Sequence, residues 1–306
     1  MGSMRRFVIS LVGIGVSCAA SAQLKVSTTL ESYFMTREGT GGFAHRLSWG
    51  EMMVRFSPNY RATVSYVEFP SFDSLDEAYI AAESQLGILQ AGRFRTSFAL
   101  NDWSEMFYNG FNHSPMVLTN ALTPGLRVAR DDAGAQATVN VGGIQAQVAM
   151  IDTAPTSYQY VPKEIRHAAL RLEGTVEGAV VGLDVLKKLG GVNDIYGLDL
   201  RYGISRVTIR GEALMGSGGD TSWGYDLDVA YRPPNTARTQ VVARAERLSR
   251  PTRGDISLNT VGLRQILDKH LSVNVNYGWA SRSKPTFSPS GSLTGWSVQS
   301  MFQVRF

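Results

Sequence analysis

Cysteine is nearly absent from this 306-residue chain, because the single Cys18 lies within the first 22 residues. The remaining sequence therefore excludes disulfide scaffolds, cysteine nucleophiles and thiolate metal sites. Charged residues make up only 18% of the chain and the formal net charge is +4, which argues against long solvated helices and against nucleic-acid binding. No segment after residue 22 has the unbroken apolar run that a transmembrane helix needs.

Catalytic and metal-binding patterns are also missing. The four histidines, His45, His113, His167 and His270, fall in separate predicted elements, and no pair has the spacing of a zinc site. No serine stands in a G-x-S-x-G context, and no calcium-binding loop of the EF-hand kind occurs. The sequence therefore predicts neither an enzyme nor a protein with a cofactor or a resident metal.

The N-terminus has the organisation of a secretory signal peptide. Arg5 and Arg6 form a positive region, residues 7–16 form a short apolar run, and Ala20-Ser21-Ala22 is a small-x-small cleavage signal. The apolar run is too short to cross a bilayer as a helix. We therefore predict a signal peptide over residues 1–22 and a single mature domain over residues 23–306.

Period-two alternation recurs throughout the predicted mature domain. One stretch places these residues on one face: Trp223, Tyr225, Leu227, Val229 and Tyr231. The opposite face carries Gly224, Asp226, Asp228 and Ala230. The pattern returns over 196–202, 271–279 and 296–306. A soluble β-sandwich also alternates, but aromatic residues at both ends of an apolar face are typical of lipid–water interfaces. The alternation therefore favours a transmembrane β-barrel.

Sixteen antiparallel strands can be counted along the domain. They are predicted over about 24–36, 45–57, 60–69, 74–84, 85–95, 133–142, 144–152, 164–174, 177–187, 193–202, 204–216, 221–233, 237–249, 256–267, 269–281 and 293–306. Short turns alternate with longer connections such as 37–44, 153–163 and 282–292, and an even strand number leaves both termini on the periplasmic side. A barrel of this size encloses a water-filled channel, which predicts the passage of small solutes.

One connection, residues 96–132, is much longer than the others. It contains five aromatic residues: Phe98, Trp103, Phe107, Tyr108 and Phe111. Asn101 can cap a short helix running from Asp102 to Tyr108. Long ordered loops are commonly functional, so we predict that this third outer loop folds inward and constricts the pore. An external cap and a contact with a neighbouring subunit are the alternatives.

Several segments resemble a known family of membrane proteins. The stretch 89–100, read as LQAGRFRTSFAL, resembles the strand-then-loop segment of the phosphate-selective outer-membrane porins of the O and P type, with Ala99 where the family has glycine. Arg127 to Arg130 followed by Gly134 also resembles that family, and Val304-Arg305-Phe306 resembles the assembly signal of outer-membrane barrels. The resemblance implies a homotrimer and, more weakly, a preference for anions.

Two criteria select the charged residues that could line the constriction. They are an inward position in the strand alternation and closeness to the loop. Arginines on the inward face would bind anions, and acids on the loop would oppose them. The candidate arginines are Arg93, Arg95, Arg55, Arg61, Arg127 and Arg130, and the candidate loop acids are Asp102 and Glu105. Pairs two residues apart on one face, such as Arg210–Glu212 and Arg244–Glu246, could instead neutralise each other, so near-neutral or cation-preferring pores stay open.

The predicted function is that of an outer-membrane porin for passive diffusion of small hydrophilic solutes, with a preference for anions. Its predicted partners are outer-membrane lipid, two further copies of the chain in a homotrimer, and the solutes, with no nucleic acid and no cofactor. A substrate-specific channel for a sugar or a carboxylate is one alternative. A structural or adhesion barrel plugged by its own loop is another.

Overall fold

A computed structural model of the protein describes residues 23–37, 40–69, 72–100, 131–152, 165, 167–189, 194–217, 222–236, 238–249, 254–282 and 295–305. The predicted signal peptide, residues 1–22, lies outside them. The strands are β1 Gln23–Arg37, β2 Thr40–Ser57, β3 Tyr60–Phe69, β4 Phe72–Glu83, β5 Gly87–Arg95, β6 Asp131–Val141, β7 Ile144–Asp152, β8 His167–Val176, β9 Ala179–Lys188, β10 Ile195–Ile204, β11 Val207–Gly216, β12 Trp223–Tyr231, β13 Thr239–Ser249, β14 Ile256–Ile266, β15 Leu271–Arg282 and β16 Gly295–Arg305.

The strands form one antiparallel sheet that closes on itself. Each strand pairs with its neighbours in sequence, and β1 also pairs with β16, with Thr29 opposite Arg305. Closure leaves no unpaired sheet edge, so the backbone groups of the strands are hydrogen-bonded within the sheet. The all-β antiparallel barrel predicted from the alternation is confirmed. In the described part of the chain, no helix is long and apolar enough to cross a membrane.

Short hairpin turns join neighbouring strands at one end of the barrel, here called the short-turn end. Several of these hairpins turn over two residues, as at Gly142–Gly143, where φ is 59° and 84°. Both residues of such a turn need a left-handed backbone, which glycine adopts without strain. The turn after β14 is held by Asp268, whose Oδ1 accepts hydrogen bonds from the backbone N–H groups of His270 and Leu271 at 2.6 and 2.8 Å. These bonds hold the pKa of Asp268 below its ordinary value.

Three connections differ from their predicted positions. The turn predicted at residues 174–176 lies at Glu177–Gly178, because Gly178 has the positive φ of 82° that the hairpin requires. The turn predicted at Gly203 lies two residues later, where Ser205 has a φ of 53°. The predicted outer loop over 37–44 is mostly strand, since residues 40–44 pair with residues 33–37.

The two faces of the sheet have opposite character. On β12, the outward Leu227 is 44% exposed, whereas the inward Asp226 is only 1% exposed. Outward aromatic side chains lie towards both ends: Tyr60 and Tyr231 are near the short turns, and at the opposite end the rings of Trp223 and Tyr225 stack with centroids 6.3 Å apart. The sheet thus exposes apolar side chains outward and buries charged side chains inward, the reverse of a soluble domain.

This reversal predicts a position-dependent cost for an outward charge. Leu227 is the central residue of β12, and Leu227→Arg should lower the free energy of unfolding in lipid vesicles by about 2–4 kcal/mol. Ile204 also faces outward but is the last residue of β10. Ile204→Arg should lower the free energy of unfolding by less than about 1 kcal/mol, because the strand ends near the membrane interface. Urea unfolding followed by tryptophan fluorescence gives both values, and equal costs would contradict a lipid-facing outer surface.

Candidate functional site on the inward face

Two rows of charged residues cross the inward face of strands β10 to β13. In the acidic row, directly opposed residues on successive strands are Asp199, Glu212, Asp226 and Glu246. In the arginine row, one step closer to the short turns, they are Arg201, Arg210, Asp228 and Arg244. Like charges directly opposite one another destabilise a sheet, so the acidic row requires compensation from elsewhere.

The arginine row supplies only part of that compensation. Arg244 binds Asp228 through two parallel bonds, from Nε to Oδ1 at 2.6 Å and from Nη2 to Oδ2 at 2.8 Å. The closest ion pair of Arg244 is thus the cross-strand one with Asp228, and the neutralisation predicted between Arg244 and Glu246 stays a prediction. A bidentate pair fits because the planar guanidinium presents two N–H groups to a carboxylate directly opposite, whereas a residue two positions along the same strand cannot meet it this way.

A second cluster lies beside the rows on β8 to β10 and is here called the Arg171 cluster: Arg171, Glu173 and Asp184. Arg171 Nη1 donates to Asp184 at 2.7 Å and to Asp199 at 2.6 Å, and its Nη2 donates to Glu173 at 2.8 Å. Gly182 provides the space, because a Cβ there would lie 2.3 Å from Asp199 Oδ2 and 2.6 Å from Arg171 Nη2. One arginine thus joins carboxylates from three strands.

Arg55 and Arg61, two of the predicted constriction residues, lie near the short-turn end of β2 and β3. They stand opposite each other, and both bind Glu83. Arg55 Nη1 is 3.0 Å from Glu83 Oε2, and Arg61 Nε is 2.9 Å from Glu83 Oε1. Both side chains are inward as predicted, but the structure places them away from the charge rows and pairs them with one carboxylate.

Arg93 has the opposite orientation to the one predicted. Phe94 is inward and fully buried, and successive residues of a strand face opposite sides, so Arg93 shares the outward face with Leu89, which is 57% exposed. Arg95 has the same parity and ends the strand, and its backbone N–H donates to Glu77 at 3.2 Å. The predicted inward placement of both arginines is corrected by this register.

The chain that follows β5 enters the barrel interior. The backbone N–H of Ser97 donates to Gln136 Oε1 on the adjacent β6 at 3.2 Å, and the backbone of Ala99 lies close to Asp184 on β9. Arg210 Nη2, on β11, donates to the carbonyl of Leu100 at 2.9 Å. Because both contacts across the barrel are to inward side chains in the middle of their strands, residues 96–100, here called the crossing segment, run through the interior.

An apolar belt receives this segment, and the sequence reasoning did not identify it. The belt lies on the far side of the acidic row from the short turns. It comprises Phe94, Phe98, Ala99, Ala149, Ile151, Ala169, Leu186, Ile195, Leu214, Leu248 and Ile256. The belt could be found from the alternation of the strands. Leu214 and Leu248 follow Glu212 and Glu246 by two residues and therefore face inward with them.

The remaining predicted site residues, Asp102, Glu105, Arg127 and Arg130, lie outside the described residues, and their roles stay predictions. Within the described ranges, no group of three or more His, Cys, Asp or Glu side chains is gathered closely enough to enclose a metal ion. The inward face thus combines ion pairs, an excess of carboxylates and a belt of apolar contacts.

Comparison with known proteins supports the architecture. No protein-family model and no curated protein sequence matches this chain. Among solved structures, Salmonella typhi OmpF in complex with daunomycin matches with a TM-score of 0.72 and 9% identity, over 92% of this chain and 97% of that one. An anion-selective porin from Comamonas acidovorans matches with a TM-score of 0.70 and 12% identity, over 94% and 100% of the two chains.

The trimer form of OmpT from Vibrio cholerae matches with a TM-score of 0.68 and 10% identity, over 93% of this chain and 99% of that one. At such identities the likeness shows the fold alone. That fold is the β-barrel of outer-membrane proteins, including porins. The narrower resemblance to the phosphate-selective porins has no family-level match behind it.

The tight fit of the Arg171 cluster around Gly182 can be tested with a matched glycine. Gly182→Ala places a methyl group against Asp199 and Arg171, and should lower the free energy of unfolding by about 1–3 kcal/mol. Gly203→Ala has open space around its Cβ and should leave stability unchanged or slightly raised. Guanidinium unfolding in detergent measures both variants. Equal stability of the two would contradict the close packing of the cluster.

Proposed function

We propose that the chain forms an outer-membrane channel through which small hydrophilic solutes diffuse passively. The observation that carries the proposal is the crossing segment, which lies inside a closed barrel and contacts inward side chains of β9 and β11. A barrel of sixteen strands is wide enough to leave an aqueous path beside such a segment. The likeness to porin structures supports the same conclusion.

A bacterial outer-membrane location accounts for the outward surface. Apolar side chains in mid-strand and aromatic side chains nearer the ends match the hydrocarbon layer and its interfaces. The leader over residues 1–22 would direct export, and outer-membrane lipid would surround the barrel. We also propose a homotrimer, a form in which the Vibrio cholerae OmpT structure occurs.

The long connection over 96–132 would act as the constriction. Its first residues already lie within the barrel, where Phe98 and Leu100 are buried and the carbonyl of Leu100 is bound by Arg210. Ala99 has a φ of 59°, in the left-handed region that favours glycine. Asp102, Glu105, Arg127 and Arg130 belong to the same connection and are proposed to reach the pore.

The charge balance of the inward face favours cations over the anions expected from the sequence. Together, the two rows and the Arg171 cluster contain seven carboxylates and four arginines, an excess of three negative charges. Arg93 and Arg95, on which the anion preference largely rested, have outward parity. We therefore propose a weak preference for cations, with anion selectivity as the competing outcome.

A second candidate, a barrel closed by its own chain, is favoured by one observation. Inward polar side chains are buried even on strands far from the rows, including Thr63 and Ser65 on β3 and Asn274 and Asn276 on β15. Buried inward positions around the barrel narrow the space left for water. A substrate-specific channel for a sugar or a carboxylate stands between these extremes.

Planar-bilayer recording distinguishes the candidates. The purified protein should produce stable ohmic steps, and the reversal potential in a KCl gradient should have the sign of a cation preference because carboxylates are in excess. The opposite sign would restore the anion preference. Absence of steps from correctly folded protein would support the plugged barrel, and block by one sugar or carboxylate would indicate a specific channel.

Release of the crossing segment should alter the channel. Arg210→Met removes the donor to the Leu100 carbonyl while keeping an unbranched, though shorter, side chain, so single-channel currents should become larger and noisier. Arg206→Met removes an exposed arginine from the turn between β10 and β11 and serves as the control. Identical current traces for Arg210→Met and the parent protein would contradict a crossing segment that shapes the pore.

A further inference from the structure

Glu212 and Asp226 form an unusual pair in the centre of the acidic row. They lie directly opposite each other on β11 and β12, and their side chains face inward. Glu212 is 3% exposed and Asp226 is 1% exposed. Opposed side chains on neighbouring strands have Cβ atoms about 4.5–5.5 Å apart, so the two carboxyl groups share one buried space.

None of the four oxygens of this pair accepts a hydrogen bond in the part of the chain that the structure describes. Among the hydrogen bonds of the neighbouring arginines, Arg210 Nη2 donates to the Leu100 carbonyl, and Arg244 Nε and Nη2 donate to Asp228. Arg201 Nη2 donates to Glu173, and Arg171 donates to its own cluster and to Asp199. The pair is thus set apart from ordinary buried carboxylates, which accept several hydrogen bonds.

Two buried, directly opposed carboxylates without donors need a positive charge or a proton between them. Isolated ionised groups are costly to bury, and their mutual repulsion adds to that cost. The neighbours Asp199 and Glu246 extend the negative charge on both sides of the pair. The two rows and the Arg171 cluster contain seven carboxylates and four arginines, so a divalent cation would remove most of this excess of three negative charges.

We propose that Glu212 and Asp226 bind a divalent cation of the Mg²⁺ class. Mg²⁺ in proteins is commonly held by one or two carboxylates and keeps several water molecules, which fits a site formed by two carboxylates. The ion would lie beside Arg210 and the Leu100 carbonyl, where the crossing segment meets the wall. The ion would therefore hold the crossing segment against the barrel wall and would not itself line the pore.

Mn²⁺ is the probe of choice because it shares the oxygen preference of Mg²⁺ and is detected by electron paramagnetic resonance. The protein is refolded into detergent, so that no lipopolysaccharide contributes cations of its own. Titration should remove the free Mn²⁺ signal until one ion is bound per chain, and Mg²⁺ should displace it. Glu212→Gln and Asp226→Asn should each weaken Mn²⁺ binding at least tenfold.

Glu83→Gln is the matched control, since it removes an inward carboxylate that is already paired with Arg55 and Arg61. It should bind Mn²⁺ as the parent protein does. Circular dichroism verifies that each variant is folded, and the parent protein alone decides the matter if a variant does not fold. No saturable binding by the parent, or equal loss in all three variants, overturns the proposal. The readout is independent of conductance, so a plugged barrel could still contain the site.

Discussion

Closure of the strand ladder is the constraint on which the rest of the structure depends. Once β1 pairs with β16, the backbone hydrogen bonds of the sheet are satisfied internally, and every side chain must face one of two separate environments. Alternation then assigns each residue to a face without further choice. Exposed leucines outward and buried aspartates inward are two consequences of the same closure, and a slip of one residue in any strand would exchange them.

Contacts between residues on different strands organise the barrel interior more than contacts along a single strand do. Arg171 joins three strands, Arg244 is satisfied by Asp228, and Arg210 is the one that binds the incoming chain. Beyond the acidic row, Phe94 and Phe98 make apolar contacts within the belt. The contacts that hold the crossing segment include the hydrogen bond from Arg210 to Leu100, the hydrogen bonds between Ser97 and Gln136, and a set of buried apolar contacts.

The sequence predicted the sheet well because alternation is a local property, readable from residues two apart. It failed where the decisive partner lies elsewhere in the chain. Phe94 faces inward, where it packs with Phe98, and the register of β5 with β4 and β6 then places Arg93 on the outward face. The carboxylate that Arg244 binds depends on which residue of β12 stands opposite it. This strand register is set by turn geometry, and composition does not reveal it.

Burial gives the charge rows an influence beyond their immediate contacts. Exposed charges are screened within about 8–10 Å by salt, whereas charges behind a packed segment lie in a low dielectric and their field is weakened less. The excess of carboxylates behind the crossing segment would therefore bias the potential of the lumen even though few of them meet water. A cation at Glu212 and Asp226 would reduce that excess from three charges to one, so occupancy of the site and the strength of ion preference are physically linked.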